Sequence, residues 1–483
     1  MAPLLFRELS ITPRMMWSIF WVGAASFGPM LFLQYIGEEA VYTIIAQEMA
    51  ASGEYLSTTL YGQSYGRPGL YSLAILGLSR IFGEQHILIA ARLITASATL
   101  LTALTLAWLI RRVFQDRLFA AFGAAVFLSG DVLLRRGWLA YSDPMFSFFV
   151  FGAMACLWVA MEERHYGFLV LAALGLIGSF LTKVPTGFVY YGVLAAVLLW
   201  RHRNRTFLLS GWSLLIHLGA IAFPIAWNYG IAGSSIFQTV SKQALSGVRE
   251  SDASGLIYFV EHFCVYPLRQ VWHFMPISVI ALYCLWSRRP PPLSLRNNSL
   301  IIAGITAAIN ILPYWLFPES RARYILPIYP LLALCMSYVV LHSGRYVIDL
   351  SVKALIGGVG VAFVLACVGN PLYQHYFRPS YANVAESIAA RVGSAPIFAT
   401  DHTAVGLSIV AELNERRRSR PPITIPPAAF TSGFVLADKP DPSIGEIAAI
   451  LDLRRKCRYL LCRGDSCVRD GQGPVIPEMG RTN

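Results

Sequence analysis

Seven charged side chains stand apart from the rest of this chain: the acids Glu38, Glu39 and Asp143, and the cations Arg67, Lys183, Arg321 and Arg323. Each borders or interrupts an apolar run, where an ionisable group is costly and is usually kept for a purpose. Carboxylates so placed can take up a proton or hold a divalent cation through oxygen. The cations can offset negative charge on a bound anion. Plainer roles compete at every position. Glu38 and Glu39 suit a helix N-terminus through its dipole, Asp143 in Tyr141-Ser142-Asp143-Pro144 suits an N-cap, Lys183 can snorkel to an interface, and one of Arg321 and Arg323 can serve as an interface anchor.

The elements that must position these groups are membrane helices. The chain has 483 residues, 56% hydrophobic and 14% charged, with mean hydropathy +0.54, whereas soluble chains carry about 25% charged residues. Eleven apolar runs are long enough to cross a bilayer: 15–33, 88–110, 118–134, 144–161, 167–182, 185–200, 207–228, 270–287, 299–317, 324–342 and 352–369. The expected fold is therefore an all-α polytopic membrane protein of about 11 transmembrane helices. Between the first two runs, residues 38–51 and 69–82 read as interfacial helices. In the former, Val41, Ile44, Ile45 and Met49 recur at helical spacing.

Arginines in the short connectors set the orientation. With the N-terminus cytoplasmic, Arg111, Arg112, Arg117, Arg164, Arg201, Arg203, Arg205, Arg288, Arg289, Arg296 and Arg345 all fall inside. The same arrangement puts all seven singled-out charges on the outer face, and residues 370–483 with them. Residues 1–369 then form the transmembrane domain and 370–483 an extracytoplasmic one. In that tail Tyr381 to Val392 reads as a helix ended by Gly393, and Ala395 to Thr400 and Arg458 to Cys462 as strands around a Pro-rich stretch, 421–427. These elements describe a small soluble α/β domain whose last ~15 residues lack fixed structure.

The net charge of +12 fits basic inner loops and anionic lipid headgroups. Its arginine clusters lack the interleaved aromatics of nucleic-acid binding. The eight cysteines have no metal-ligand spacing. Three of them, Cys457, Cys462 and Cys467, cluster near the C-terminus, where an oxidising space would allow one disulfide. Gly357, Gly358 and Gly360 sit inside an apolar run with no preceding strand, so close helix packing is expected of them and not dinucleotide binding.

The stretch GEEAVYTIIAQEMAASGEY (37–55) resembles the first outer loop of the GT-C superfamily of glycosyltransferases, in particular lipid A aminoarabinose transferases and protein O-mannosyltransferases. YGRPGLYSLAILGLSRIFG (65–83), LTKVPTGF (181–188) and RYILPIYPLLAL (323–334) are similar to further family stretches in the same order, so the resemblance covers about 15–345. Glu38 stands where the family has Asp, and Gly66-Arg67 where the aminoarabinose enzymes have Glu-Lys.

The resemblance implies an inverting, integral-membrane glycosyltransferase in the plasma (bacterial inner) membrane. Its donor would be a polyprenyl-phosphate-linked sugar and its acceptor an envelope lipid such as lipid A, another glycan or a protein. Glu38, Glu39 and Asp143 are the expected catalytic carboxylates, and Arg67, Lys183, Arg321 and Arg323 the expected donor-phosphate ligands. Membrane lipids are expected partners and nucleic acid is not. No cofactor is required, though the three carboxylates leave room for a divalent cation. The competing classes are a transporter or flippase of lipid-linked or anionic substrates, which would carry mid-membrane charges and internal repeats, and an O-antigen-type polymerase or ligase.

Overall fold

The computed structural model describes residues 11–230, 253–287, 298–317, 322–453, 457–467 and 475–476. The chain divides into two compact units. One comprises Met1–Pro29, Thr95–Trp138 and Ser142–Cys367, and the other Met30–Ile94, Leu139–Tyr141 and Val368–Asn483.

The first unit is helical throughout its described residues. In an apolar solvent each segment must satisfy its own backbone, and helices do so. The helix Ser142–Glu163 lies at its centre, packed against Tyr166–Thr182, Gly187–Arg201 and the 3-10 segment Ala322–Ile328. Gly175 permits one close approach, because a Cβ there would lie 3.0 Å from both Ala153 Cβ and Phe149 O.

Five helices among the described residues are long and apolar enough to cross a membrane, and a sixth if the bent pair Phe259–His273 and Ile277–Trp286 counts as one span. Shorter apolar helices accompany them, including Arg117–Leu128, Tyr166–Thr182 and Gly187–Arg201. The protein is thus mostly helical and polytopic. Several expected runs are interrupted. Run 118–134 becomes the helix Arg117–Leu128 and a π turn, Val132–Arg136, separated by Gly130 at φ 68°. A Cβ at Gly130 would lie 2.5 Å from His273 O, so the break is built for glycine. Run 270–287 breaks before Ile277, next to Pro276, which has no N–H to continue a helix. A Cβ on Gly357, Gly358 or Gly360 meets nothing within 4 Å, so the close packing expected of them is not found among the described residues.

The second unit joins the first loop to the C-terminal segment. Strands β1 Thr59–Leu60 and β2 Gln63–Ser64 pair antiparallel, and a five-stranded sheet runs in the order β3–β4–β6–β5–β7, with β3 Ile397–Ala399, β4 Gly433–Ala437, β5 Glu446–Asp452, β6 Cys457–Arg463 and β7 Val475–Ile476. Pairs β3/β4 and β5/β7 are parallel, and β4/β6 and β5/β6 antiparallel. The tail is therefore a small α/β sheet region, with helices Tyr381–Val392 and Ala404–Arg416. Gly393 ends the first of these at φ 55°. Apart from β7, residues after 467 lie outside the described set. Cys462 and Cys467 form a disulfide and Cys457 is free.

One hydrophobic core spans both parts of this unit: Tyr35, Ala40, Ile44 and Tyr61 pack with Ile388, Leu407, Leu436 and Leu460. The helix Ala40–Ser52 consequently presents its apolar residues to the helices Leu70–Phe82 and Ala404–Arg416, where the interfacial reading had turned them toward lipid. Gln47 Nε2 donates to Ala411 O at 3.3 Å and Tyr61 Oη to Asp401 O at 3.0 Å, which fixes the register.

Candidate active site

The sequence-derived candidates fall in both units, Glu38, Glu39 and Arg67 in the second and Asp143, Lys183 and Arg323 in the first. Arg321 lies outside the described residues.

In the second unit, the turn before helix Ala40–Ser52 depends on Gly37 at φ 63°. The next amide, Glu38 N–H, donates to Tyr141 Oη at 3.2 Å. Glu39 is fully buried, and both its oxygens are engaged. Oε1 accepts from Arg92 Nε at 2.9 Å and Ala140 N at 2.8 Å; Oε2 accepts from Arg92 Nη2 at 2.6 Å and Ile36 N at 2.7 Å. Arg92 also donates to the carbonyls of Met30, Leu31, Leu33 and Gln34. A bidentate Arg–carboxylate pair with every remaining site satisfied is the arrangement that tolerates burial. Chemically, Glu39 clamps the loop. Glu38, one residue earlier, is half-buried. Arg67 is half-buried beyond Gly66, its guanidinium 5.4 Å from the Tyr65 ring centroid.

In the first unit, Asp143, Lys183 and Arg323 come together from three separate elements. Asp143, 5% exposed, opens the helix Ser142–Glu163. Lys183 ends the helix Tyr166–Thr182 in a non-helical conformation and places Nζ 2.5 Å from Asp143 Oδ1. Arg323 Nε approaches Asp143 Oδ2 at 4.0 Å. The Lys183 ammonium also lies 4.8 Å from the Tyr324 ring centroid and 5.7 Å from that of Phe146. Among the described residues the cluster sets two cations beside one acid.

Arg92 was missed by sequence reasoning, although a lone arginine in the apolar run ILIAARLITA was a usable signal. Also missed was a second group in the first unit. Arg136 Nε lies 2.6 Å and His273 Nδ1 3.2 Å from Asp131 Oδ2, and Arg136 Nη1 donates to Tyr329 Oη at 3.2 Å. Among the described residues no three His, Cys, Asp or Glu side chains converge as metal ligands. Glu39 is saturated by N–H donors, and Asp143 Oδ1 is held by Lys183.

Fold and clusters define a class: a polytopic helical membrane protein with an acid–cation cluster in its helical unit and a small α/β region. Residues 15–234 match the family model described as dolichyl-phosphate-mannose-protein mannosyltransferase. The chain is 26% identical over 373 residues to the undecaprenyl phosphate-alpha-4-amino-4-deoxy-L-arabinose arabinosyl transferase of Pseudomonas aeruginosa, covering 72% of this chain and 63% of that protein. It is 25% identical over 366 residues to the Edwardsiella ictaluri enzyme of the same description, covering 70% and 63%. The chain therefore spans less than two thirds of the length of these curated relatives. Among solved structures it is similar to ArnT from Cupriavidus metallidurans in the apo state, with TM-score 0.65 at 14% identity over 94% of this chain and 99% of that one. It is also similar to the same protein bound to undecaprenyl phosphate, with TM-score 0.62 at 15% identity over 94% and 98%. The archaeal oligosaccharyltransferase AglB from Archaeoglobus fulgidus follows at 0.53 and 12%, over 85% and 64%. The chain resembles GT-C glycosyltransferases of the ArnT and O-mannosyltransferase kind, and its fold is ArnT-like.

Proposed function

We propose that this protein is an integral-membrane glycosyltransferase that moves a sugar from a polyprenyl-phosphate carrier to an envelope acceptor, lipid A, another glycan or a protein, at the outer face of the bacterial inner membrane. The observation that carries this reading is the meeting of Asp143, Lys183 and Arg323 in a fold of the ArnT kind. The leaving group is a lipid phosphate. As the bond between the anomeric carbon and the phosphate oxygen breaks, negative charge grows on that oxygen, and Lys183 and Arg323, with Arg67 and Arg321, offset it. The acceptor hydroxyl attacks the anomeric carbon from the opposite side and its proton passes to Glu38. The products are an inverted glycoside and free polyprenyl phosphate. Asp143 orients Lys183, and Glu39 holds the Glu38 loop through Arg92.

The same proposal takes residues 1–369 as the transmembrane part, with about 11 spans and the N-terminus cytoplasmic, and 370–483 as extracytoplasmic. The Cys462–Cys467 disulfide supports an oxidising location for that tail. The test is to incubate the purified full-length protein with undecaprenyl phosphate carrying 4-amino-4-deoxy-L-arabinose, or with polyprenyl-phosphate mannose, and envelope lipid extract. Release of free polyprenyl phosphate with labelled acceptor is expected. Movement of intact carrier between leaflets with no such release would mark a flippase and overturn the reading.

A further inference from the structure

The second unit contains a cavity that the mechanism above does not use. It has a volume of about 170 Å³ and is lined by residues of the helices Ala40–Ser52, Leu70–Phe82 and Ala404–Arg416 and of the turns that follow the last two. A water's share of liquid volume is about 30 Å³, so there is room for a small molecule or for the head of a larger one. Ala50, Leu76 and Ile87 give part of the wall an aliphatic surface. The charged part comes from Glu415, Arg418 and Arg420, with Glu84 from the turn after Leu70–Phe82.

Arginines crowd this end of the C-terminal helix, where residues 416–420 read Arg-Arg-Arg-Ser-Arg. A helix C-terminus attracts cations through its dipole, which accounts for Arg416 and Arg417. Arg416 also pairs with Glu386 at 3.5 Å. Arg418 and Arg420 lie beyond the helix and bond only neutral oxygens. Arg418 Nη1 donates to Gln85 Oε1 at 3.1 Å and Arg420 Nη1 to Gly393 O at 2.8 Å, and neither has a carboxylate within ion-pairing distance among the described residues. Burial, and next the Arg420 charge, hold the Arg417 guanidinium below its usual value, so these cations repel one another. Glu415 does not relieve them, because burial and then Glu412 push its carboxyl up to about 8 and it keeps its proton at neutral pH. In that form it donates to an oxygen and does not repel it. The Gln47 and Asn414 amides are bonded to each other, which leaves the charged groups to select a ligand. Guanidiniums with N–H groups to spare and a protonated carboxyl, set beside a cavity, match a group rich in acceptor oxygens that carries close to two negative charges. A phosphate monoester is such a group.

We propose that this cavity binds a phosphate monoester through Arg418, Arg420 and Glu415. The site lies wholly in the second unit, and the inference does not depend on the glycosyltransferase reading. A lipid headgroup and a soluble ester share this chemistry, and two probes separate them. Full-length protein in phosphatidylcholine nanodiscs is titrated calorimetrically with glycerol phosphate, the soluble probe, and with dihexanoyl phosphatidic acid, the lipid one. Saturable binding of at least one probe is expected, and the tighter ligand identifies the source. Arg418→Gln and Arg420→Gln should each weaken it at least tenfold, and Arg418→Lys, which keeps the charge, should recover part of the loss. Ala50→Leu, which fills the cavity and alters no charge, should also weaken it at least tenfold. No saturable binding of either probe, or a wild-type Kd in the two glutamine variants or in Ala50→Leu, would overturn the site. Tighter binding of ethanolamine than of either ester would make the cavity a cation site built on Glu415 and Glu84, and would overturn it too. Loss of binding in Lys183→Ala with retention in Arg418→Gln would place the phosphate at the Asp143 cluster instead.

Discussion

The Glu39 carboxylate and the Arg92 guanidinium, both fully buried, are joined by two hydrogen bonds of 2.6 and 2.9 Å across 53 residues of sequence. Around this pair the chain from Met30 to Gln34 folds back, four of its carbonyls accepting from Arg92. The pair therefore decides the conformation of the loop that presents Glu38. Removing one partner strands a buried charge, which costs about 3–5 kcal/mol.

Arg92→Ala should accordingly be a folding mutant. A lower thermal midpoint in detergent is expected, together with lost transfer, and Arg92→Lys should recover only part of it, because a lysine cannot make the bidentate contact. A wild-type midpoint in Arg92→Ala would remove the clamp.

Glu38→Gln should behave in the opposite way. It keeps the shape of a half-buried side chain and removes a proton acceptor, so transfer should fall at least tenfold, about 1.4 kcal/mol in the barrier, with the thermal midpoint unchanged. Single-turnover assays with a hydroxyl acceptor make the comparison. Full activity in this variant would reassign the base.

Lys183→Ala should also lower transfer at least tenfold, and its effect should appear in kcat, since the charge it offsets grows as the phosphate leaves. Asp143→Asn should reduce activity less than Lys183→Ala if its part is to orient the ammonium. An effect of Lys183→Ala confined to KM would mean that it binds the ground state and the transition state alike.

Stability should depend on pH through Glu415, on the helix Ala404–Arg416. Burial, and next the nearby Glu412 carboxylate, push the Glu415 carboxyl up from 4.5 to about 8. The folded state thus holds a proton that the unfolded state has released between these values, so stability falls as pH rises from about 4.5 toward 8 and levels off above it. Thermal melts from pH 5 to 9 should show this slope, and Glu415→Gln should flatten it. A slope unaltered by Glu415→Gln would place its origin elsewhere.

A reporter that is active only outside the cytoplasm, fused after residue 370, should be active. In the unreduced protein Cys457 should react with a thiol reagent while Cys462 and Cys467 do not, following their pairing. A silent reporter would reverse the proposed orientation.

Much of this protein was legible in its sequence, for a physical reason: lipid forces apolar runs into helices, and charges bordering such runs are too costly to be accidental. Asp143, Lys183 and Arg323 could be singled out on that ground, as could the helix Tyr381–Val392 from its terminal glycine. Breaks inside the runs were less visible. Gly130 and Pro276 look tolerable in an apolar segment until their neighbours are known.

Only the tertiary structure could separate Glu38 from its neighbour. The two are adjacent and chemically alike, and what divides them is burial: Glu39 is closed in against Arg92, which lies far along the chain, whereas Glu38 is half-buried. Likewise, the periodic apolar face of Ala40–Ser52 specified a helix with something to bury, while its partner, the C-terminal core, was fixed by long-range packing that no local pattern encodes. The sequence by itself determined the solvent of each segment and the positions worth attention. Tertiary contacts decided which of those charges are committed to holding the fold, because pairing, burial and saturation are properties of neighbours brought together from distant parts of the chain.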